Sequence, residues 1–307
     1  MQMPRLKIGT RGSPLALAQA RETKARLMAA HGFGEDEIEI IAIATTGDRI
    51  HDRPLSEIGG KGLFTREIEE ALLAGQIDLA VHSMKDMPAR LPGGLVIAAL
   101  LPREDARDAF LSPVARSIAE LPQDATVGSS SVRRTAQLLR LRPDLKPVQF
   151  RGNVETRLRK LADGIAHATL LAAAGLNRLG LAGKITSIIP IDMMLPAVAQ
   201  GAIGIEIKEN DHQARSLLAA INHGETEIAI TCERAFLAAL DGSCRTPLAG
   251  HATLVGAMLH FRGHALTLDG IHCFETTRQG AHADAADMGR EAGEEVKARG
   301  GALIAFT

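Results

Sequence analysis

Short apolar runs alternate with helical patterns over the first two-thirds of this 307-residue chain. The first run, Leu6-Lys-Ile-Gly, is followed by Ser13-Pro14, a pair typical of a helix start, and by an alanine-rich stretch that extends to about Ala30. A strand followed by a helix and another strand is the repeating unit of an α/β domain with a mainly parallel sheet. This alternation constrains the fold more than any other feature of the sequence.

Breaks in the alternation indicate domain boundaries. A connector with proline and charged residues, Leu101-Pro-Arg-Glu-Asp-Ala-Arg, is followed by a second alternation whose first predicted strand is Ala125 to Gly128. The later apolar run Ala202 to Ile207 is placed to return the chain to the first sheet, which makes two connections between the domains. The resulting assignment is residues 1–101 plus 199–219 for domain 1 and residues 106–195 for domain 2.

The last third of the chain has a different pattern. A predicted helix from Thr226 to Leu240 is followed by a turn-forming loop and then by two alternating runs, near Leu254 to Arg262 and Ala265 to Phe274. Alternation with a period of two is typical of antiparallel strands with one buried face. Residues 224–307 are therefore predicted to form a small α+β third domain with an antiparallel sheet.

Composition excludes several classes of function. The formal net charge is -1, and Trp and Tyr are absent, so neither a general attraction to nucleic acid nor aromatic stacking platforms are indicated. We find no segment with the pattern of a signal peptide or the apolar length of a membrane span. Three widely separated cysteines argue against a disulfide framework or a cysteine zinc site. We expect a cytoplasmic protein with no nucleic-acid, membrane or metal partner.

Arginines are concentrated where predicted strands and helices meet. Ligands of open α/β sheets bind beyond the carboxyl ends of the strands, where helix N-termini present free N–H groups. A guanidinium binds a carboxylate or phosphate with two parallel hydrogen bonds. A single surface arginine is common, but six at or near such turns in a chain without net positive charge predict a polyanion site. They are Arg11, Arg133, Arg134, Arg151, Arg157 and Arg178.

A second group of polar residues follows an apolar run in Val81-His-Ser-Met-Lys-Asp-Met-Pro. Beside the cation of Lys85 we expect the Asp86 carboxylate to be ionised. Such a carboxylate in a cleft can stabilise a developing cation and transfer a proton. The alternative is a structural ion pair at a strand end. His82 by itself is more typical of a packing or supporting residue than of a catalyst.

Cys244 is the cysteine with the best setting for chemistry. It lies in a turn-forming loop between Ser243 and Arg245, where a thiol is expected to be accessible and a cation favours the thiolate. Cys232 falls within a helical pattern and Cys273 within a strand pattern, so both are interpreted as packing residues.

A glycine-rich segment, Gly59-Gly-Lys-Gly-Leu-Phe, departs from a phosphate-binding loop because Leu63 stands where Ser or Thr is needed. We interpret it as a mobile loop in which Lys61 and Phe64 could close over a cleft. Flexibility without a role in binding is the alternative.

These segments, in their order along the chain, resemble those of the porphobilinogen deaminase family. The resemblance extends from residue 5 to about residue 250. The matching segments are Thr10-Arg-Gly-Ser-Pro-Leu-Ala-Leu, Thr46-Gly-Asp, Gly59-Gly-Lys-Gly-Leu-Phe, His82-Ser-Met-Lys-Asp-Met-Pro, Gly128-Ser-Ser-Ser-Val-Arg-Arg, Arg151-Gly-Asn-Val-Glu-Thr-Arg, Ala174-Gly-Leu-Asn-Arg-Leu-Gly, Leu195-Pro-Ala-Val-Ala-Gln-Gly and Gly242-Ser-Cys.

The resemblance implies three domains, of which the first two resemble type II periplasmic binding proteins and enclose the active site in a cleft. It also implies a monomer with a dipyrromethane cofactor held through a thioether on Cys244. Four porphobilinogens are then added with loss of ammonia, and hydrolysis releases hydroxymethylbilane. Carried over by position, the cofactor contacts are Lys85, Ser129, Ser131, Arg133 and Arg134, and the contacts to porphobilinogen and the growing polypyrrole are Arg11, Ser13, Arg151, Arg157 and Arg178.

For Asp86 the resemblance implies the catalytic role, which is to stabilise the cationic azafulvene formed when ammonia leaves. Two residues depart from the family pattern, since Ser243 and Ala199 stand where Gly is commoner. Neither departure removes a reactive group. Two other functions stay open from the residues, a non-catalytic clamp for a small carboxylated ligand and a phosphoribosyl-type transferase.

Overall fold

The structure is a computed structural model that describes residues 6–49, 62–242 and 246–304. Within these residues the chain divides into two compact units. The first unit combines the described residues up to 104 with residues 202–227, and the second combines residues 105–201 with the described residues from 228 onward. None of the described helices has both the length and the apolarity that a membrane crossing needs.

The first unit is built on a five-stranded mixed sheet. Its strands are β1 (Leu6–Arg11), β2 (Ile38–Ile43), β3 (Leu79–Ser83), β4 (Leu95–Leu100) and β10 (Ile203–Lys208). Their order is β2-β1-β3-β10-β4, and β10 is antiparallel to both of its neighbours. The apolar run that was predicted to return the chain to this sheet therefore does so, as β10.

The helices of the first unit begin and end as their sequences favour. They are α1 (Pro14–His31), the single turn α2 (Thr46–Arg49), α3 (Arg66–Leu73) and α7 (His212–Ala219). At the start of α1, Ser13 Oγ accepts a hydrogen bond from the Ala16 N–H at 3.3 Å. Buried aliphatic residues such as Leu27 and Ile205 fill one face of the sheet, and Ile68 from α3 packs on the other.

The second unit contains a sheet with the same arrangement. Its strands are β5 (Asp108–Leu111), β6 (Thr126–Gly128), β7 (Lys146–Val148), β8 (Ala168–Ala172) and β9 (Ser187–Ile188). The order is β7-β6-β8-β5-β9, and β5 is antiparallel to both neighbours. Two sheets with this order and one antiparallel strand each confirm the type II periplasmic-binding-protein fold that the resemblance implied for the first two domains.

Strand β5 was missing from the sequence-based prediction, which placed no strand between the connector and Ala125. All four of its residues are buried. Because the strand is short and begins with the charged Asp108, its sequence looks like a continuation of the connector. Around this sheet lie three helices, α4 (Val132–Leu141), α5 (Val154–Ala162) and α6 (Ala173–Arg178).

The third sheet has three antiparallel strands, where the sequence predicted two alternating runs. They are β11 (Leu248–Val255), β12 (Met258–Leu266) and β13 (Cys273–Ala281). Both predicted runs were wrong, because each crosses a turn. Leu254 to Arg262 crosses the turn between β11 and β12, where Gly256 has φ +59°, and Ala265 to Phe274 crosses the turn between β12 and β13, where Gly270 has φ +74°. The residues on both sides of the first turn are apolar, so the pattern contains no visible break there.

Two helices, α8 (Gly224–Ala239) and α9 (Ala285–Gly300), complete this region, which confirms its α+β class. They approach each other closely at Gly289, where a Cβ atom would lie 2.0 Å from the carbonyl oxygen of Cys232. Phe236 of α8 packs against Phe261 of β12 with ring centroids 5.1 Å apart.

Candidate active site

Arg11 and Asp86 lie at the carboxyl edge of the first sheet. Arg11 is the last residue of β1, and Asp86 is in a 3-10 turn directly after β3. Because β1 and β3 are parallel neighbours, their ends meet at one edge, where α/β sheets bind ligands. Arg11 Nη1 is 3.9 Å from Asp86 Oδ2, and the Asp86 side chain is 37% exposed. A carboxylate in this setting is accessible to a ligand.

Asp48 is the principal partner of Arg11, and the sequence analysis gave it no role. Arg11 Nε lies 3.2 Å from each Asp48 carboxylate oxygen, and Nη2 also contacts Oδ1. Burial alone would raise the pKa of Asp48, but hydrogen bonds from Arg11 and Thr45 outweigh it, so the pKa lies below its ordinary value of 3.8. Asp48 thus neutralises Arg11 at shorter range than Asp86 does.

Phe64 lies over the guanidinium of Arg11, with the Arg11 Cζ atom 4.2 Å from the ring centroid. This contact brings one of the two predicted loop residues to the Arg11 site. The other, Lys61, lies outside the described residues, as does Cys244. A pocket at this edge is lined by Thr10, Arg11, Ser13, Leu15, Ala16, Gln19, Phe64, Thr65, Val81, His82, Ser83, Asp86 and Met87.

Three further polar residues belong to the same pocket or its edge. Ser13 caps α1, and its predicted contact with substrate stays a prediction. Gln19 was not identified from the sequence, because a glutamine within a helical pattern gives no signal; its Nε2 donates to Ser83 Oγ at 3.3 Å. Lys85 lies in the same 3-10 turn as Asp86.

Arg133 and Arg134 form a buried network around Asp108. Arg133 Nη1 lies 2.8 Å from Asp108 Oδ2, and Arg134 Nη2 lies 2.7 Å from Oδ1. Burial would raise the pKa of Asp108, but the two guanidinium groups hold it well below its ordinary value. Both arginines also donate to backbone carbonyls, those of Leu195 and Leu170. The pair thus has a structural role in addition to any role in binding.

Ser129 and Ser131 organise the start of α4. Ser131 Oγ accepts from the Arg134 N–H at 3.5 Å, and Ser129 Oγ accepts from the Ser131 N–H at 3.2 Å. Gln200, which the sequence analysis did not single out, donates to Asp108 Oδ1 at 2.9 Å. The serine turn is joined to the arginine network through the Arg134 N–H, and Gln200 belongs to the same network through Asp108.

The other three predicted arginines are all in the second unit. Arg157 Nε donates to the Gly152 carbonyl at 2.8 Å, and Arg178 Nη2 donates to the Gly201 carbonyl at 3.0 Å. Arg151 Nη1 is buried and has no hydrogen-bond partner within the described part of the chain. A buried N–H group of this kind costs free energy unless a ligand or water satisfies it.

A second pocket, of about 430 Å³, contains none of the predicted site residues. It lies on the third sheet and is lined by polar side chains that include His251, His260 and Arg262, together with Ile191 and Leu195. Arg262 is paired there with Asp192 at 3.0 Å and with Glu275. Arg278, which also lines this pocket, is paired with Glu295 at 2.6 Å, so both arginines of the pocket have carboxylate partners.

Comparison with known proteins agrees with these observations. A family model described as porphobilinogen deaminase, dipyrromethane cofactor binding domain, matches residues 6–216, and one described as porphobilinogen deaminase, C-terminal domain, matches residues 227–298. The porphobilinogen deaminase of Paracoccus denitrificans is 60% identical over 96% of this chain and 94% of its own length. That of Nitrobacter hamburgensis is 57% identical over 96% and 93%.

At much lower identity, the solved methionine-binding protein MetQ is also similar (15% identity, 72% of this chain, 91% of that chain, TM-score 0.45). The family models together span most of the chain, and the relatives match it over nearly their whole length. The chain therefore belongs to the porphobilinogen deaminase family.

Proposed function

We propose that this protein is a transferase that condenses four porphobilinogens stepwise, with release of ammonia at each step, and then hydrolyses the product to hydroxymethylbilane. The proposal rests on the accessible Asp86 carboxylate beside Arg11 in a chain of the porphobilinogen deaminase family. Family membership favours this enzyme over the carboxylate-binding clamp and the phosphoribosyl-type transferase that the residues left open.

Asp86 is assigned to the charge that develops during the reaction. Departure of ammonia from porphobilinogen leaves a carbon whose positive charge is shared with the pyrrole ring. A carboxylate held beside this carbon stabilises it and can accept the pyrrole N–H proton. A free Arg11 charge would oppose this stabilisation, but Asp48 pairs with Arg11 more closely than Asp86 does.

The arginines are assigned to carboxylates. Porphobilinogen has an acetate and a propionate group, so each added unit brings two carboxylates. Arg133 Nε and Arg151 Nη1 are buried without a hydrogen-bond partner among the described residues. A carboxylate would satisfy either group, and each such bond is worth about 1.5–3 kcal/mol. This fit supports a contact of Arg133 with the cofactor and of Arg151 with the substrate. The assignment of Lys85, Ser129, Ser131 and Arg134 to the cofactor, and of Arg11, Ser13, Arg157 and Arg178 to the substrate, rests on the family resemblance.

Dipyrromethane, when bound, supplies the pyrrole end to which the first substrate unit is joined. We assign its thioether to Cys244, as the family resemblance implies, and the other two cysteines are less suited to the attachment. Burial raises the pKa of the Cys232 thiol to about 12, and burial also raises the pKa of Cys273. The thiolate is the nucleophilic form, so both thiols are disfavoured as attachment points.

The cofactor assignment is tested by the intact mass of the purified protein, followed by peptide mapping. We expect an excess equal to two porphobilinogens less two ammonias, located on Cys244. The variant Cys244→Ala should lack this excess, whereas the control Cys273→Ala should retain it. An active Cys244→Ala protein without the added mass would overturn the assignment.

Asp86→Asn tests the catalytic role. The amide keeps the shape of the side chain but loses the charge, so we expect kcat for porphobilinogen consumption to fall by on the order of 100–1,000-fold. The control Asp36→Asn removes an exposed carboxylate in the same unit and should leave kcat unchanged. Equal kcat values for Asp86→Asn and the unmodified protein would refute the role.

We also propose that the protein acts in the cytoplasm as a monomer. The presence of free cysteines, Cys232 and Cys273, supports a reducing compartment. Light scattering coupled to gel filtration should give the mass of one chain, and the mass of two chains would refute the monomer.

A further inference from the structure

Three ionisable side chains are buried together beside the pocket of the first unit. His82 on β3 and Glu206 on β10 lie on the same face of the sheet, and His82 Nε2–H donates to Glu206 Oε2 at 3.0 Å. Glu69 belongs to α3, which packs against both strands. The exposed fraction is 5% for His82, 0% for Glu206 and 6% for Glu69.

The hydrogen bonding of this cluster is incomplete. Oε1 of Glu69 and Oε1 of Glu206 are both buried without a hydrogen-bond partner among the described residues. Leaving such an atom unsatisfied costs free energy, because the atom loses its hydrogen bonds to water and gains none in the protein. Apolar side chains of similar volume would avoid this cost, and such replacements of buried ion pairs are often neutral or stabilising. Stability alone therefore does not account for the cluster.

Charge makes the cluster sensitive to protonation. Burial raises the pKa of Glu69 above its ordinary value of 4.5. The Thr65 hydroxyl and His82 oppose this shift, whereas the carboxylates of Glu206 and Glu70 add to it. Ionised Glu69 and Glu206 would place two like charges in a dry interior beside a single histidine. A proton on Glu69 removes the repulsion between them.

The elements joined by the cluster form two sides of the pocket. Strand β3 ends at Ser83 and leads directly to Asp86, whereas α3 is directly preceded by Phe64 and Thr65. All four of these residues line the pocket. A change in the angle between α3 and β3 would therefore change the distance between the Phe64 side and the Asp86 side.

We propose that His82, Glu206 and Glu69 form a positioning triad that sets α3 against β3 and thereby places Phe64 and Thr65 relative to Ser83 and Asp86. None of the three is assigned to contact with the substrate. The effect on turnover rests on the function proposed above, whereas the effect on the geometry of the pocket does not.

The geometry can be followed without any assay of activity. The chain contains no Trp and no Tyr, so Phe64→Trp would introduce a single fluorescent indole at the pocket. We expect its emission to change as the pH is raised through the titration of Glu69, because the ionised Glu69 carboxylate then repels Glu206 and loosens α3 from β3. At high pH we expect the indole to be more exposed to water and its emission to be shifted to the red.

Two second-site variants identify the groups responsible. Glu69→Gln, added to Phe64→Trp, mimics the protonated acid and should abolish the transition. Glu206→Gln keeps an acceptor for His82 but removes the neighbouring charge, so it should lower the midpoint of the transition. Among the described residues, the other charged groups near the cluster or the indole include Arg66, Glu67 and Glu70 on α3 and, at the pocket, Arg11, Asp48, Lys85 and Asp86.

Turnover supplies the second readout. We expect the ratio of kcat for Glu69→Gln to kcat for the unmodified protein to rise with pH over the range of the fluorescence transition. The ratio cancels ionisations that both proteins share. A side chain with only a structural role would change kcat by a factor independent of pH.

The outcomes separate the two proposals. An indole transition that depends on Glu69, in a protein that consumes no porphobilinogen, would support the triad and refute the proposed function. The triad would be overturned by two results together in a protein that consumes porphobilinogen. The kcat ratio would be independent of pH, and the indole transition would be unchanged by Glu69→Gln.

Discussion

Ala199 has a backbone conformation that favours glycine. Its φ is +60°, and its N–H donates to Glu233 Oε2 at 2.6 Å. The left-handed region costs a residue with a Cβ atom roughly 1–2 kcal/mol. Ala199 also stands where the resembling family commonly has Gly. The buried Glu233 carboxylate therefore holds this segment in a conformation that alanine disfavours.

Replacement of this residue should reveal the strain. Any Ala→Gly change in a folded chain increases the entropy of the unfolded state and removes a methyl group. We therefore compare Ala199→Gly with Ala197→Gly, whose site lacks the positive φ. The free energy of unfolding in urea should be higher for Ala199→Gly than for Ala197→Gly by about 1–2 kcal/mol. Equal values for the two variants would contradict the strain.

At the level of elements, two helices of the second unit begin in segments that resemble family motifs. Ser131 is the N-cap of α4, and Asn153 is the N-cap of α5. Ser131 Oγ is 3.5 Å from the Arg134 nitrogen, whereas Asn153 Oδ1 is 2.9 Å from the Thr156 nitrogen. The longer contact is the weaker cap.

The difference in cap length predicts which of two alanine substitutions lowers the free energy of unfolding more. Loss of an N-cap typically costs about 0.5–2 kcal/mol. Urea unfolding should show a smaller loss for Ser131→Ala than for Asn153→Ala, because the Ser131 cap is longer. A larger loss for Ser131→Ala would mean that its hydroxyl stabilises the fold through another contact.

On the scale of the whole molecule, the third sheet packs against helix α4 within the second unit. At Gly270 a Cβ atom would lie 2.3 Å from the Ala136 carbonyl oxygen, and Arg140 Nη1 donates to the Ile271 carbonyl at 3.2 Å. His264 of β12 is buried in this region. Burial lowers the pKa of His264 to about 3, and nearby arginines, Arg133 first among them, act in the same direction.

His264 should make the protein sensitive to acid. Its ordinary pKa is 6.5, so between pH 6.5 and about 3 the unfolded chain binds a proton that the folded chain does not. The free energy of unfolding therefore falls as the pH drops through this range, by up to about 1.4 kcal/mol per pH unit from this residue. His264→Gln should reduce the slope, and the exposed His272→Gln should not. Identical slopes for all three proteins would exclude His264 as the cause.

Much of the architecture could be predicted from local patterns. Ser13-Pro14 marks the start of α1 because capping depends on neighbouring residues alone. The apolar run that became β10 was recognised because a buried strand needs consecutive apolar side chains. The segment ending in Asp86 was also found correctly at the end of a strand, and the ordered motifs identified the family.

The partners of these residues were decided by tertiary structure. Asp108 directly follows the predicted connector and was given no role, yet it is a buried strand residue between Arg133 and Arg134. Asp48 had no assigned role until the fold placed it against Arg11. In both cases a residue distant in sequence supplies the opposite charge.

The fold class and the family could therefore be predicted from the sequence, because capping, apolar periodicity and ordered motifs depend on residues close together in the chain. The same motifs supplied the residues that are proposed for chemistry. Which charges are paired, and which buried N–H groups lack a hydrogen-bond partner among the described residues, became clear only from the tertiary structure. Burial and pairing depend on side chains brought together from distant segments, as His82, Glu206 and Glu69 are.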